Sequence, residues 1–303
     1  EVRTSQVFVL RLTGDQFSWF PFANVLVKLA TLTIPERKEE RAENVPDELA
    51  VLDARFLEKP SFAVQISRDT VIKMAEISGD ALQLATELLQ DYNENKAKLV
   101  ESMEQRVDRY EDALGTYLLK VSNLDLSQND SRMLSILLHC INDFERISDH
   151  AVNIRDSAVE MHEKDISITS GGMEEMAVYS KAVQDIVQQT IQAFRTGDLT
   201  LARQVEPFEE VIDGLSIEMK QRHITRLRKG RCTMEAGLML EDVITNYERV
   251  SDHCSNVAVC MLQINEDGFD THEYLELAAE EDSAWFREQC ISLKNKYELP
   301  EKK

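Results

Sequence analysis

Apolar residues recur at helical spacing over most of the chain. In residues 60–92, for example, Leu82, Leu84, Leu88 and Leu89 give the segment one apolar face. The chain has only six prolines and ten glycines, which are too few for the many turns of a strand-rich fold. The pattern therefore predicts an all-α protein built from long helices.

Breaks in this periodicity divide the chain into two similar halves. The segment ISITSGG, residues 166–172, interrupts the pattern with β-branched residues, serine and paired glycines. The predicted helices cover, in order, residues 60–92, 96–121, 127–163, 173–195, 199–228, 232–264 and 272–297. We predict four regions: an N-terminal amphipathic segment and linker (1–59), a first three-helix repeat (60–170), a second three-helix repeat (171–270) and an extra C-terminal helix (271–303).

The two halves share a sequence motif. FERISDHAVNI, residues 144–154, recurs as YERVSDHCSNV, residues 247–257, with Glu, Arg, Ser, Asp, His and Asn identical at an offset of 103. Upstream, ESMEQRVD at residues 101–108 matches EPFEEVID at residues 206–213 at an offset of 105. A loop between the second and third helices can absorb the difference of two residues. A period near 100 is too long for a solenoid repeat and indicates two tandem copies of a three-helix bundle.

Each copy carries two Glu-x-x-x-Asp pairs on two helices that we expect to be neighbours. They are Glu104 and Asp108 with Glu145 and Asp149 in the first copy, and Glu209 and Asp213 with Glu248 and Asp252 in the second. Residues at i and i+4 lie on one helix face, where like charges destabilise the helix unless a cation lies between them. Four carboxylates from two helices can hold two or more metal ions, and oxygen ligands favour iron, manganese, magnesium or calcium over a thiolate-type zinc site.

Other roles for these acids stay open. Arg146 and Arg249 could pair with the carboxylates in plain salt bridges, and a capping role would also need no metal. His150 and His253 lie five residues after the glutamates, roughly 140° around the helix from them, so we do not expect them as core ligands. Recurrence of the same pairs beside the same Ser, His and Asn favours a metal site.

Charge and cysteine content exclude two further classes of protein. With 34 basic and 55 acidic residues, the net charge of −21 would repel the phosphates of DNA or RNA. The five cysteines are scattered and form no CxxC motif, which argues against a disulfide framework and is typical of a reducing compartment.

An apolar segment covers residues 7–34 and has two interpretations. Its longest uncharged run, Gln16 to Val27, is 12 residues, too short to span a bilayer. The segment is either a buried amphipathic helix, or an interfacial helix or the end of a membrane segment. We therefore expect that any membrane contact would involve residues 1–34.

The paired segments ERISDHAVNI and ERVSDHCSNV are similar to the signature of PhoU-domain proteins. In that family each repeat ends a three-helix bundle with an E-R-x-x-D-H-x-x-N segment and carries an ExxxD pair on the preceding helix. The resemblance covers roughly residues 61–265. The stretches PFANVLVKLATLTIPE and LDARFLEKPSFA, from Pro21 and Leu52, resemble the junction in bacterial sodium/phosphate cotransporter-like proteins, which carry a PhoU-type domain after their membrane helices.

This resemblance implies a regulatory module rather than an enzyme. It implies a cytoplasmic domain that regulates phosphate transport and homeostasis, as part of a sodium-dependent phosphate transporter at the inner face of the cell membrane. It also implies bound metal, with iron favoured and manganese, magnesium, calcium or zinc as alternatives. The expected partners are a transporter membrane domain, other transport or signalling proteins, or a second copy of the chain. The family's ligand positions fall on the eight carboxylates named above, with Glu101, Glu206, Asn153 and Asn256 as edge candidates.

Two other functions compete with this one. A di-metal carboxylate helical bundle could be an enzyme, although the chain has no glycine-rich phosphate loop, GxSxG motif or Ser/His/Asp constellation. A helical adaptor without metal is the second alternative.

Overall fold

The computed structural model describes residues 48–263 and 283–301 of the chain, and every regular element in those ranges is helical. Two short 3-10 helices, Glu48–Val51 and Ala54–Glu58, precede the first α-helix. The α-helices of the described ranges are α1 Pro60–Leu88, α2 Glu94–Val121, α3 Gln128–Glu163, α4 Ser170–Thr196, α5 Leu199–Arg203, α6 Val205–Arg228, α7 Met234–Gln263 and α8 Ser283–Lys296. The predicted all-α fold with two three-helix repeats is confirmed: α1 to α3 form the first repeat, and α4, α6 and α7 form the second, with the five-residue α5 between α4 and α6.

Polar side chains at the N-caps set where several helices begin. Asn93, Ser127, Thr169 and Asp198 accept hydrogen bonds from backbone N–H groups in the first turns of α2, α3, α4 and α5. Gly197 ends α4 with a φ of 69°, a left-handed conformation that glycine adopts without a Cβ clash. The helices predicted from residues 60, 96, 127, 173, 199 and 232 begin within three residues of those positions.

The helix predicted over residues 199–228 is in fact two helices. α5 ends at Arg203 and α6 begins at Val205, with Gln204 between them. Pro207 then lies in the first turn of α6, where its missing N–H would have no intrahelical partner in any case. A continuous helix would have placed this proline in its interior, at the cost of a backbone hydrogen bond.

The two repeats share one core. α3 packs against α7, and α1 packs against α4. The buried Tyr247 hydroxyl on α7 donates to Thr86 Oγ1 on α1 at 2.8 Å, and the Phe144 ring on α3 meets the Phe194 ring on α4 edge-on with centroids 5.3 Å apart. Aromatic and hydroxyl contacts therefore connect each repeat to the other, and the repeats are not independent bundles joined by a linker.

α8 packs on α6 of the second repeat. The Tyr297 hydroxyl, just beyond α8, donates to Asp185 Oδ2 at 2.6 Å, and its ring stacks on Phe208 with centroids 5.3 Å apart. α8 therefore corresponds to the C-terminal part of the predicted last helix.

Some predictions fall where the structure gives no description. The N-terminal amphipathic segment of residues 1–34 lies outside the described residues, as do residues 272–282 of the predicted last helix. The domain limits at residues 59, 170 and 270 stay predictions. Among the helices that the structure describes, none combines the length and apolar character that a membrane span requires.

Candidate metal-binding patches

The first candidate site, patch 1, consists of Glu104 and Asp108 on α2 with Glu145 and Asp149 on α3. Carboxylate oxygens of Glu104, Asp108 and Asp149 lie within 4.8 Å of one another. α2 and α3 pack side by side, and the i, i+4 spacing puts each pair on one helix face. The structure therefore brings together three of the four predicted carboxylates, with Glu145 close enough to Asp149 and Asp108 to interact electrostatically.

Burial and mutual repulsion raise the pKa values of three patch 1 carboxyls, those of Glu104, Asp108 and Glu145. The pKa of Glu145 rises to about 7 because the side chain is partly buried and lies near Asp149 and Asp108, while Arg146 opposes the shift. Burial, followed by the neighbouring carboxylates, also raises the pKa values of Glu104 and Asp108. The fold thus holds these groups closer together than their negative charges favour.

The second candidate site, patch 2, consists of Glu209 and Asp213 on α6 with Glu248 and Asp252 on α7. Carboxylate oxygens of Glu209, Asp213 and Asp252 again lie within 4.8 Å of one another. Burial and then repulsion from Asp213 and other acids raise the pKa of Glu209 to about 8. Asp213 Oδ1 is buried and has no hydrogen-bond partner among the described residues. A buried oxygen without a partner is costly, so patch 2 contains an acceptor that a cation would satisfy.

Glu248 is the carboxylate of patch 2 that does not converge with the others. Its Oε2 accepts hydrogen bonds from Lys220 Nζ and Ser216 Oγ, each at 2.8 Å. Burial alone would raise the pKa of Glu248, but these two bonds outweigh burial and lower it. The structure therefore separates the four predicted ligands of patch 2 into a group of three and one acid that is already neutralised by a lysine.

The salt bridges that we considered as the alternative to metal are present beside both patches. Arg146 Nη1 lies 3.1 Å from Asp149 Oδ2, its Nε lies 3.4 Å from Glu145, and Arg249 Nη1 lies 3.1 Å from Asp252 Oδ2. The two arginine side chains are 51% and 63% exposed, and exposed pairs of this kind contribute little to stability. They do not explain why three carboxylates converge in each patch.

Both groups of three carboxylates suit a hard cation. All the donors are carboxylate oxygens, the ligands preferred by magnesium, calcium, manganese and iron. A bound cation would offset the repulsion that raises the pKa values and, in patch 2, would pair with Asp213 Oδ1. The residues that are present therefore fit a bound metal, with the two groups of three as its direct ligands.

The four edge candidates have different surroundings. Glu101 is exposed, whereas Glu206 Oε2 accepts a hydrogen bond from Ser255 Oγ at 2.5 Å. Asn153 and Asn256 do not complete the patches, because their amides donate across the interface between the repeats. Glu101 and Glu206 are consequently the two that remain candidates at the patch edges.

A crossed set of hydrogen bonds, here called the seam, joins α3 to α7. Asp143 Oδ1 lies 2.9 Å from His253 Nδ1 and 3.1 Å from Asn256 Nδ2. Asn246 Oδ1 lies 2.8 Å from His150 Nδ1 and 3.1 Å from Asn153 Nδ2. The seam consists of Asp143, His150, Asn153, Asn246, His253 and Asn256. The histidines and asparagines of the motif thus bond to the opposite repeat, as expected for histidines that are not core ligands.

Sequence reasoning missed the two acceptors of the seam. Asp143 and Asn246 are related by the same offset of 103 as the motif, and each directly precedes its aromatic first residue. Because they are not identical, a comparison by identity passes over them. The available signal was the pairing of two short polar acceptors at matching positions, one residue outside the motif.

One cavity among the described residues lies away from both patches. It has a volume of about 540 Å³ and is lined by the start of α4, the C-terminal half of α6 and Pro300. Glu175 is buried there between Arg222 and Arg226, at 3.2 and 2.8 Å, and Arg222 also donates to the Pro300 carbonyl. None of the eight carboxylates lines it, and its buried charges already pair with each other.

Comparison with known proteins identifies the family. The family model named PhoU domain matches the chain twice, at residues 71–158 and 177–261. The phosphate-specific transport system accessory protein PhoU homolog 1 of Thermotoga maritima is 25% identical over 209 residues, covering 69% of this chain and 89% of that protein. The phosphate-specific transport system accessory protein PhoU homolog of Aquifex aeolicus is 25% identical over 210 residues, covering 69% of this chain and 94% of that protein.

A solved structure has the same fold. The crystal structure of PhoU from Pseudomonas aeruginosa superposes with a TM-score of 0.63 at 20% identity, covering 67% of this chain and 97% of that chain. The two family matches coincide with the two repeats and together span more than half of the sequence. The protein therefore belongs to the PhoU domain family.

Proposed function

We propose that this chain regulates phosphate transport and binds metal at patches 1 and 2. The observation that carries the proposal is the convergence of three carboxylates in each repeat, on helices of a PhoU domain. Members of this family are regulatory accessory proteins and not enzymes, which agrees with the prediction from sequence and removes support for the di-metal enzyme. The relatives are named as accessory proteins of a phosphate-specific transport system, which supports the same role here.

The proposed metal is iron, with manganese, magnesium, calcium or zinc as alternatives. Glu104, Asp108 and Asp149 would hold it in patch 1, and Glu209, Asp213 and Asp252 would hold it in patch 2. Bound metal would supply positive charge and no catalytic step. The carboxylates would lose their mutual repulsion, and the surface that each repeat offers to a partner would become less negative.

The proposed setting is the cytoplasm, at the inner face of the cell membrane. The partner would be the membrane domain of a phosphate transporter, in particular a sodium-dependent one, or a transport or signalling protein. The apolar residues 7–34 support a membrane contact, because an interfacial helix needs such a segment. Self-association of the domain is part of the same proposal.

Metal analysis of double variants tests the patches. We expect the full chain to retain metal after purification without added metal, and Glu145→Gln/Asp149→Asn and Glu248→Gln/Asp252→Asn each to lose the metal of one patch. Glu76→Gln/Asp80→Asn is a matched control, because these residues form an ExxxD pair on α1, outside both patches. The measurement is metal per chain by mass spectrometry.

Three results would contradict parts of this proposal. If the parent chain bound no transition or alkaline-earth metal, the chain would be a helical adaptor without metal. If the Glu145→Gln/Asp149→Asn variant retained all its metal, patch 1 would not be a metal-binding site. Equal loss in the Glu76→Gln/Asp80→Asn control would show that the metal binds acidic surface without selectivity.

Phosphate uptake tests the regulatory role. In a bacterium that lacks its own PhoU-type accessory protein, we expect this chain to restore normal radiolabelled phosphate uptake and the patch double variants to fail, at equal protein levels. If both double variants restored phosphate uptake, the regulatory role would not depend on bound metal. Failure of the parent chain, present at normal levels and folded, would contradict the regulatory role in that host.

A further inference from the structure

We propose that Asp143 and Asn246 are positioning residues, and that each orients the carboxylate-bearing motif of the opposite repeat. Asp143 lies on α3, two residues before Glu145 of patch 1, but its carboxylate accepts from His253 and Asn256 on α7. Asn246 lies on α7, two residues before Glu248 of patch 2, but accepts from donors on α3. The inference rests on the proposed metal function of the patches.

The hydrogen bonds fix both acceptors firmly. Asp143 is only 8% exposed. Asn246 Nδ2 donates to the Asp242 carbonyl at 2.8 Å, which leaves Oδ1 as the acceptor for the α3 donors. Because this amide oxygen can only accept, His150 donates to it from Nδ1 at 2.8 Å. The His150 and His253 rings lie between the helices with centroids 5.6 Å apart.

Each acceptor binds its partner helix at two points. The donors are a histidine and the asparagine three residues later, which lie on one helix face one turn apart. Two contacts on one face oppose both rotation of the helix about its axis and sliding along it. Asp143 therefore sets the orientation of α7, and Asn246 sets that of α3.

Helix orientation matters because the patch ligands adjoin the donors. His253 directly follows Asp252, and His150 directly follows Asp149. A helix rotation of roughly 10° displaces a carboxylate tip by roughly 1 Å, whereas metal sites tolerate roughly 0.2 Å in ligand distance. Outer hydrogen bonds that orient metal ligands commonly change affinity by roughly 10-fold to 100-fold when removed.

The geometry therefore gives a crossed expectation. Removing the Asp143 carboxylate should weaken patch 2, although Asp143 is close in sequence to patch 1. Removing the Asn246 amide should weaken patch 1. A merely local effect on folding would act on the patch of the same helix, so the direction of the effect separates the two explanations.

The experiment uses the full chain with one patch disabled. With Glu145→Gln/Asp149→Asn as background, only patch 2 titrates with manganese, and we expect Asp143→Ala to weaken it about tenfold or more. With Glu248→Gln/Asp252→Asn as background, we expect Asp143→Ala to leave patch 1 within about twofold and Asn246→Ala to weaken it about tenfold. Asp143→Asn keeps the acceptor oxygen, as Asn246 does, and should rescue patch 2.

A second measurement needs no metal. In chelator-treated protein, Asp143→Ala should change the ring-nitrogen NMR signals of His253 and leave those of His150, and Asn246→Ala should do the reverse. If Asp143→Ala does not fold, Asn256→Ala takes its place, because it removes only one of the two donors to Asp143.

The possible results distinguish a failure of metal binding from a failure of the positioning role. A parent chain that binds neither manganese nor any other of the proposed metals contradicts the proposed metal function, and unchanged His253 signals in Asp143→Ala then overturn the seam as well. If the parent binds manganese but Asp143→Ala weakens patch 1 instead of patch 2, or weakens neither, the positioning role is wrong while metal binding stands.

Discussion

Patches 1 and 2 have the same four carboxylates, yet their surroundings differ. At the offset of 105 that aligns α2 with α6, Ser216 and Lys220 of patch 2 match Glu111 and Gly115 of the first repeat. Patch 2 therefore has a lysine that neutralises Glu248, whereas the matching turn of α2 adds another acid. Burial and the nearby Asp112 and Asp108 raise the pKa of that acid, Glu111.

The motif alone therefore does not determine what a patch binds. Patch 2 contains its own cation, so one of its acids competes less for a metal. In patch 1 the matching acid is Glu145, whose pKa is raised by burial and by Asp149 while Arg146 opposes the shift. We infer that Glu145 has a greater demand for external positive charge than Glu248.

Exchanging the lysine should change metal affinity more than the substitutions that follow change stability. We expect Lys220→Met, which keeps the apolar stem, to strengthen manganese binding at patch 2 about tenfold, or about 1.4 kcal/mol, because Glu248 loses its competing ammonium. The reverse change Gly115→Lys should weaken patch 1. Titration calorimetry with the other patch disabled measures both.

Lys181→Met is the control for this exchange. It removes a lysine that pairs with Asp185 at 2.7 Å, outside the patches, so net charge changes equally. Equal strengthening by Lys181→Met would attribute the effect to net charge and contradict the role of Lys220.

A smaller effect concerns the stability of the metal-free protein. Because burial and neighbouring acids raise the pKa of Glu209 from 4.5 to about 8, the folded state binds a proton more tightly than the unfolded state. Stability should rise as the pH falls from about 8 towards 4.5. At pH 8 in chelator, Glu209→Gln should raise the melting temperature by about 2–4 °C, with a smaller rise for Glu104→Gln.

Calorimetry with and without manganese checks this expectation. The stabilising change should also weaken patch 2, since Glu209 is a proposed ligand. If Glu209→Gln lowered the melting temperature in chelator, the carboxylate would be a favourable contact rather than a strained one.

The smallest effect involves glycines on the patch helices. Gly115 on α2 and Gly214 on α6 have open space where a β-carbon would lie, so alanine should stabilise each helix by about 0.5–1 kcal/mol. Gly79→Ala should gain less than the other two, because its β-carbon would lie 2.8 Å from the terminal methyl Cδ1 of Ile191, which must move between α1 and α4. Urea denaturation compares the three, and equal stabilisation by Gly79→Ala would contradict the tight packing of the repeats.

Much of the fold could be predicted because the helices are long and have clear caps. Periodicity located α1 to α4 and α7, since apolar faces and cap residues agree there. The break at Gln204 was missed because the apolar pattern continues across it, and only Pro207 indicated that a helix had just begun.

The patches were predicted in part for a different reason. Repetition identified all eight carboxylates, and i, i+4 spacing placed each pair on a face. Nothing in the spacing shows that Glu248 would turn to Lys220, because that lysine lies 28 residues away on another helix and has no counterpart in the first repeat. Which side chains pair between two helices depends on how each helix is rotated about its axis, and the sequence pattern does not give that rotation.

The seam has the reciprocity of a two-fold interface. In a symmetric dimer, residue i of one subunit contacts residue j of the other, and j contacts i. Here Asp143 bonds to His253 and Asn256, and the equivalent residue Asn246 bonds to His150 and Asn153. Equivalent helices of the two repeats also pack together, α1 on α4 and α3 on α7. The chain is thus arranged as a covalently fused homodimer, and fusion leaves each half free to diverge. Asp143 opposite Asn246, and Lys220 opposite Gly115, are differences that identical subunits could not have.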